Sequence, residues 1–133
     1  MHIFVFNANG ALFLQKRSQW KDICPLKWDS SAAGHVNAGE GYDETAQREL
    51  QEELGINPAV DFVVRIAPCE ETGHEFVGLY KASHGGPFRL PPAEIDCGEW
   101  FTEAQVVRWV ASRPQDFAPG FLKCWDVWQR SRC

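Results

Sequence analysis

Residues 34–56 read GHVNAGEGYDETAQRELQEELGI, and the second half of this stretch predicts a helix over Tyr42–Leu54. Asp43, Glu44 and Glu49 fall in its first half, where carboxylates favour a helix N-terminus, and Gly55 stops it. At roughly 100° per residue, Glu49, Glu52 and Glu53 share an arc of about 100° on one face. Ala46, Leu50 and Leu54 occupy the neighbouring arc at i, i+4, i+8 spacing, which anchors the helix to a core. Three carboxylates so placed repel one another unless positive charge sits among them. Arg48, four residues before Glu52, relieves part of that repulsion. A hard divalent cation, which prefers oxygen ligands, would relieve the rest. A merely solvated acidic face would need neither Gly34 nor the lone Glu40 at set distances upstream.

Outward from this stretch, strands predominate. Ile3–Phe6 and Ala11–Gln15 are apolar runs separated by Asn7-Ala8-Asn9-Gly10, and Asn-Gly between two such runs signals a hairpin. Residues 18 to 30 read as a loop carrying Pro25, and Ser31–Val36 as a short strand. Asp61–Pro68, Glu75–Ala82 and Ile95–Phe101 have strand patterns, with Gly85-Gly86-Pro87 breaking the chain between the last two. Thr102 caps a predicted helix over Glu103–Val110, and Pro119 opens a closing helix to Gln129. Strands interleaved with two or three helices predict an α+β chain with a mixed sheet and helices packed on it. No linker or repeat divides residues 1–133, which read as one domain.

The chain has 133 residues, 44% of them hydrophobic and 23% charged, which is ordinary globular usage. Its formal charge is −5, and it carries no Lys/Arg-rich run, so a nucleic acid polymer is not the expected partner. Six Trp and nine Phe predict an aromatic-rich core. The five cysteines, Cys24, Cys69, Cys97, Cys124 and Cys133, are scattered and show no C-x-x-C spacing. They fit neither a zinc site nor a disulfide framework, so reduced thiols in a cytoplasmic protein are expected. No apolar run approaches membrane-spanning length, and no membrane partner is expected. A monomer and a homodimer are both compatible with the sequence.

The stretch resembles the signature of the Nudix hydrolases, G-x5-E-x7-R-E-U-x-E-E-x-G-U, with U a large aliphatic residue. Gly34, Glu40, Arg48, Glu49, Leu50, Glu52, Glu53, Gly55 and Ile56 fill every fixed position. The resemblance implies the Nudix fold, an α/β/α sandwich around a mixed central sheet. It also implies a reaction in which water attacks the diphosphate of a small-molecule substrate, a nucleoside diphosphate derivative or another organic diphosphate, with Mg²⁺ (or Mn²⁺) as cofactor. By the same resemblance Glu49, Glu52 and Glu53 hold the metal, the Gly34 carbonyl adds a ligand, and Arg48 orients the glutamates. Glu40 supports that arrangement, and Gly55 lets the chain turn after the helix. Metal held by a few carboxylates and completed by substrate phosphates implies weak binding before substrate arrives.

A narrower likeness surrounds the signature. Gln15-Lys16-Arg17-Ser18-Gln19-Trp20-Lys21, Pro25, Trp28 and Ser31-Ala32-Ala33-Gly34-His35 are similar to the corresponding stretch of isopentenyl-diphosphate isomerase, which shares the fold. There a basic pair grips the substrate diphosphate, and Arg17 and Lys21 match it. The isomerase's proton-transferring cysteine corresponds to Ala33 here, so a key acid-base group is missing while the glutamate set is complete. The resemblance therefore implies a hydrolase of the isomerase-like branch. A prenyl-diphosphate isomerase and a non-catalytic diphosphate-ligand sensor remain alternatives. Glu94 and Glu99 are candidates for a further ligand or base, and His35 for a metal ligand.

Overall fold

The computed structural model describes residues 1–131, and Cys133 lies outside them. Strand β1 (His2–Phe6) turns back into β2 (Leu12–Arg17) through the predicted hairpin. The turn is held by Asn7, whose side-chain oxygen accepts from the backbone N–H groups of Asn9 and Ala11 at 3.0 and 2.9 Å. Gly10 follows at φ +80°, a conformation that favours glycine.

The remaining strands are β3 (Trp28–Asp29), β4 (Ala32–Ala33), β5 (Asp61–Ile66), β6 (Val77–Ser83) and β7 (Ile95–Phe101). They form one sheet in the order β3-β2-β1-β6-β5, with β4 added beside β1 and β7 beside β2. The β1–β6 pair is parallel and every other named pairing antiparallel, so the sheet is mixed, as expected. Helix α1 (Tyr42–Leu54) has the predicted bounds, α2 (Glu103–Ser112) starts at the predicted Thr102 cap, and α3 (Pro119–Ser131) opens at Pro119.

Alternation along the strands separates two cores. Ile3, Val5 and Phe13 face Ala46, Leu50 and Leu54 of α1, while Phe4, Leu12 and Leu14 face Val106 of α2 and Phe121, Trp125 and Trp128 of α3. This is the helix–sheet–helix sandwich that the sequence implied. Most of the aromatic residues serve it, as where Phe4 meets the rings of Phe121, Trp125 and Trp128.

Two segments differ from the sequence reading. Residues 18–30 were expected to be loop throughout, but turns within them bring Trp28 and Asp29 back beside Lys16 and Gln15 as β3. The return is fixed by the Arg17 N–H on the Lys27 carbonyl and the Leu26 N–H on the Arg17 carbonyl, at 2.8 and 3.0 Å. The strand expected over Ser31–Val36 is only Ala32–Ala33, because its ladder with β1 ends where the Gly34 N–H meets the Met1 carbonyl.

Leu50 is fully buried between α1 and the sheet. Leu50→Ala should cost about 2–5 kcal/mol of unfolding free energy, read as a lower midpoint in urea with an unchanged slope.

Candidate active site

Helix α1 lays its apolar arc on the sheet and leaves the adjoining acidic arc along the rim formed by β4 and the loop after it. Its C-terminus is closed by Gly55, at φ 68° and ψ 29°, whose N–H bonds to the Gln51 carbonyl at 3.0 Å. This left-handed turn is what the sequence assigned to Gly55.

Arg48 is the centre of the acidic arc. Its Nε donates to Glu40 at 2.8 Å and its Nη2 to the other oxygen of Glu40 at 3.1 Å. Nη1 donates to Glu49 at 2.8 Å and to Glu52 at 3.1 Å, and Nη2 also reaches the His35 carbonyl at 3.0 Å. One planar guanidinium thus joins the loop before α1 to two carboxylates on α1. Glu40 further accepts from the Thr45 hydroxyl at 2.7 Å and the Asn37 N–H at 3.1 Å. The Arg48 hydrogen bonds, followed by those of Thr45 and Asn37, hold its carboxyl down to about 2. Glu40 is therefore a permanent anion that fixes the arginine.

Glu53 is held differently. Its Oε1 accepts from the Gln15 side-chain amide at 3.1 Å and its Oε2 from the Ala33 N–H at 2.9 Å. Burial pushes its carboxyl up to about 8; the Gln15 and Ala33 hydrogen bonds oppose that rise, and neighbouring Glu49 adds to it. Gly34 completes the group through close approach. A Cβ at this position would lie 2.2 Å from the Glu49 carboxyl carbon, so a side chain here would displace that carboxylate from its present place.

The donor set suits a hard divalent cation. Glu49, Glu52 and Glu53 offer carboxylate oxygens and Gly34 a backbone carbonyl, all hard ligands. Among the described residues, however, no three His, Cys, Asp or Glu side chains converge into a preformed cage. Glu49 and Glu52 are turned toward Arg48, and Glu53 toward Gln15 and Ala33. The residues fit the ion by chemistry and proximity, with side-chain adjustment left for its arrival.

The other predicted residues are placed as follows. Arg17, at the end of β2, donates through Nε to the Ile23 carbonyl at 2.9 Å and faces the buried Asp29 at 3.5 Å. Lys21 forms an ion pair with Glu94. Both cations therefore sit on the strand and loop that follow Gln15, each beside a carboxylate. The register pairs Glu99 with Leu14, which faces the α2/α3 core. Cross-strand partners share a face, so Glu99 lies on the side of the sheet away from Glu53. The His35 imidazole is 81% exposed and pairs with Glu75 at 3.1 Å. Gln15 was not singled out by the sequence reading. The signal was a lone amide on the inward face of an apolar strand, two residues after Phe13.

A cleft of about 690 Å³ opens between the loop before α1 and the segment joining β5 to β6, lined by His35, Glu40, Tyr42, His74 and Phe76 among others. Among the described residues, no helix is long and apolar enough to cross a membrane.

Comparison with known proteins agrees with this geometry. The family model for the NUDIX domain matches residues 1–121. The chain is 35% identical over 129 residues to an uncharacterised Nudix hydrolase of Yersinia pestis, covering 96% of this chain and 68% of that protein. An uncharacterised Nudix hydrolase of Pseudomonas aeruginosa is 37% identical over 107 residues, 80% of this chain and 60% of that one. The isopentenyl-diphosphate Delta-isomerase of Halorhodospira halophila is 30% identical over 128 residues, 91% of this chain and 73% of that one. The chain thus spans roughly 60–73% of the length of these relatives. Among solved structures, DR0079 of Deinococcus radiodurans matches at a TM-score of 0.76 and 28% identity, over 84% of this chain and 70% of that one. The NUDIX domain of Shewanella oneidensis NrtR, solved with ADP ribose, shares the fold at a TM-score of 0.75 and 15% identity, over 99% and 86%.

The chain belongs to the Nudix family, and its likeness to an isopentenyl-diphosphate isomerase agrees with the isomerase-like branch. It is a Nudix hydrolase, an enzyme of the class that opens pyrophosphate linkages.

Because folding raises the Glu53 carboxyl from 4.5 to about 8, the metal-free fold holds that proton more tightly than the unfolded chain does. The associated stability is present in full below about pH 4.5 and is lost as pH rises through 8. In EDTA, Glu53→Gln should therefore melt roughly 3 °C or more above the wild type at pH 8, and the gap should close toward pH 5. A thermal melt at the two pH values checks this.

Proposed function

We propose that the chain is a divalent-cation-dependent pyrophosphohydrolase acting on a small organic diphosphate, nucleoside diphosphate derivatives included. Mg²⁺ or Mn²⁺ would be held by Glu49, Glu52, Glu53 and the Gly34 carbonyl. The observation that carries this reading is the Arg48 hub, which joins Glu52 to Glu49, the carboxylate against Gly34, through hydrogen bonds of 3.1 and 2.8 Å. A solvated acidic surface has no use for a glycine that clears space for one particular carboxylate.

When bound, the cation supplies Lewis acidity toward phosphate oxygens and lowers the pKa of a bound water. The chain's own residues do the positioning. Arg48, fixed by the ionised Glu40, keeps Glu49 and Glu52 on one side of the site, where their carboxylates would hold the ion. Glu53 stays on its two N–H donors. Arg17 and Lys21 leave Asp29 and Glu94 for phosphate oxygens, where charge-assisted hydrogen bonds hold the diphosphate. The same reading places the protein in the cytoplasm with its scattered thiols reduced.

A second reading has one observation in its favour, the 30% identity to an isopentenyl-diphosphate Delta-isomerase. Against it, the methyl group of Ala33 can neither give nor take the proton that moving a double bond requires. What this residue contributes is its backbone N–H, bonded to Glu53.

With Mg²⁺ present, a panel of nucleotide sugars, dinucleotides and prenyl diphosphates should reveal at least one substrate that is hydrolysed rather than isomerised. On that substrate Glu53→Gln should lose orders of magnitude in kcat while remaining folded. Wild-type turnover by this variant at saturating Mg²⁺ would remove Glu53 from the site.

Arg17→Ala and Lys21→Ala should each raise KM by similar factors for every substrate accepted, as expected of contacts to a shared diphosphate. If the pair also stabilises charge building up on the leaving phosphate, kcat falls as well. Steady-state kinetics of the double variant indistinguishable from wild type would leave the loop without a phosphate role.

A further inference from the structure

Gln15 is buried in β2, with 4% of its surface exposed, between the apolar Leu14 and the half-exposed end of the strand. A primary amide in such a place is costly unless its hydrogens find acceptors. Both do. Nε2 donates to the Ser31 carbonyl at 3.0 Å and to Glu53 Oε1 at 3.1 Å. Ser31 is itself fully buried and fixed, since its hydroxyl donates to the Phe13 carbonyl and accepts the Val5 N–H at 2.8 Å. A continuous hydrogen-bonded path thus runs from the centre of the sheet, through Ser31 and Gln15, to the last turn of α1. The register partner of Gln15 on β7 is Gly98, where a Cβ would meet the neighbouring Phe13 ring at 2.2 Å.

The three glutamates of the signature helix are therefore held by two kinds of donor. Glu49 and Glu52 answer to Arg48, a full positive charge. Glu53 accepts from two neutral donors, the Gln15 amide on one oxygen and the Ala33 N–H on the other, with the Glu49 carboxyl beside it. A carboxylate offers about four lone-pair sites, so these two N–H groups do not exhaust them. A neutral donor orients the carboxyl group without placing a positive charge where a cation would sit. A lysine or arginine in place of Gln15 would compete with that cation.

We propose that Gln15 is a positioning residue for the divalent cation, acting through Glu53: it aims one glutamate while placing no positive charge beside it. The proposal rests on the metal reading above and adds to it a residue outside the signature.

The test uses Mn²⁺ alone as the probe, followed by electron paramagnetic resonance, on the wild type, Gln15→Met and Glu53→Gln. Gln15→Met keeps the length and removes both donors. Its Mn²⁺ dissociation constant should rise about 10–100-fold, as when partners of metal-bound side chains are removed. In turnover assays the metal concentration needed for half-activation should rise by a similar factor, with a smaller fall in kcat at saturating metal. A folded Gln15→Met that binds Mn²⁺ within twofold of the wild type overturns the proposal. If Glu53→Gln is inactive in that case, the metal reading survives without Gln15; if Glu53→Gln retains full activity, the metal reading itself falls. Should Gln15→Met fail to fold, the wild-type side-chain NH₂ resonances of Gln15 decide. They should shift as Mg²⁺ is added, and an unmoved pair overturns the proposal.

Discussion

The constraint on which the site depends is the mutual repulsion of carboxylates crowded along one edge of α1. Glu49, Glu52 and Glu53 lie within a single turn, and like charges at such spacing oppose the helix that carries them. The fold answers with one guanidinium. Arg48 spans Glu40, Glu49, Glu52 and the His35 carbonyl, and its planar array of donors suits several oxygens at once. Lysine, with a compact charge on a flexible stem, could neutralise the cluster without fixing its orientation. That the arginine is itself tied to a strongly ionised Glu40 makes it a fixed point from which the other carboxylates are hung.

The rest of the site follows from where the helix is docked. Ala46, Leu50 and Leu54 seat α1 on Ile3, Val5 and Phe13 of the hairpin, which sets the acidic arc against β4 and the glycine after it. Gly34 gives way to the Glu49 carboxylate, and the Ala33 N–H meets Glu53. Packing energy, spread over the core, thereby fixes polar atoms to within hydrogen-bonding tolerance. In the metal-free protein, burial and the neighbouring Glu49 raise the Glu53 carboxyl, so the fold resists its ionisation. Under the proposed metal role, stability and function pull in opposite directions at that residue.

The side proposed to face substrate is less rigidly specified. Arg17 and Lys21 each rest on a carboxylate, Asp29 and Glu94, and such pairs exchange readily with a phosphate of higher charge. The reaction class is set by the glutamate helix, whereas the group carried on the diphosphate is set by loops and clefts around it. Relatives named as a hydrolase and as an isomerase are 35% and 30% identical to this chain, so overall likeness does not separate the two activities.

The sequence by itself determined what depends on local spacing. The bounds of α1, its acidic and apolar arcs, the αL turn at Gly55 and the Asn7–Gly10 hairpin all follow from periodicity and backbone preference over a few residues. That Arg48 and Glu40 belong with the acidic arc was legible too, through the fixed spacing of the signature. Tertiary structure decided what depends on partners far apart in the chain. Gln15 lies 38 residues from Glu53, and nothing in the spacing of a strand amide tells which helix it will face. The face on which Glu99 falls depended on its register with Leu14, which a one-residue slip would reverse. The strand Trp28–Asp29 exists only because turns before it return the chain to β2, whose edge supplies the hydrogen bonds that local propensity could not.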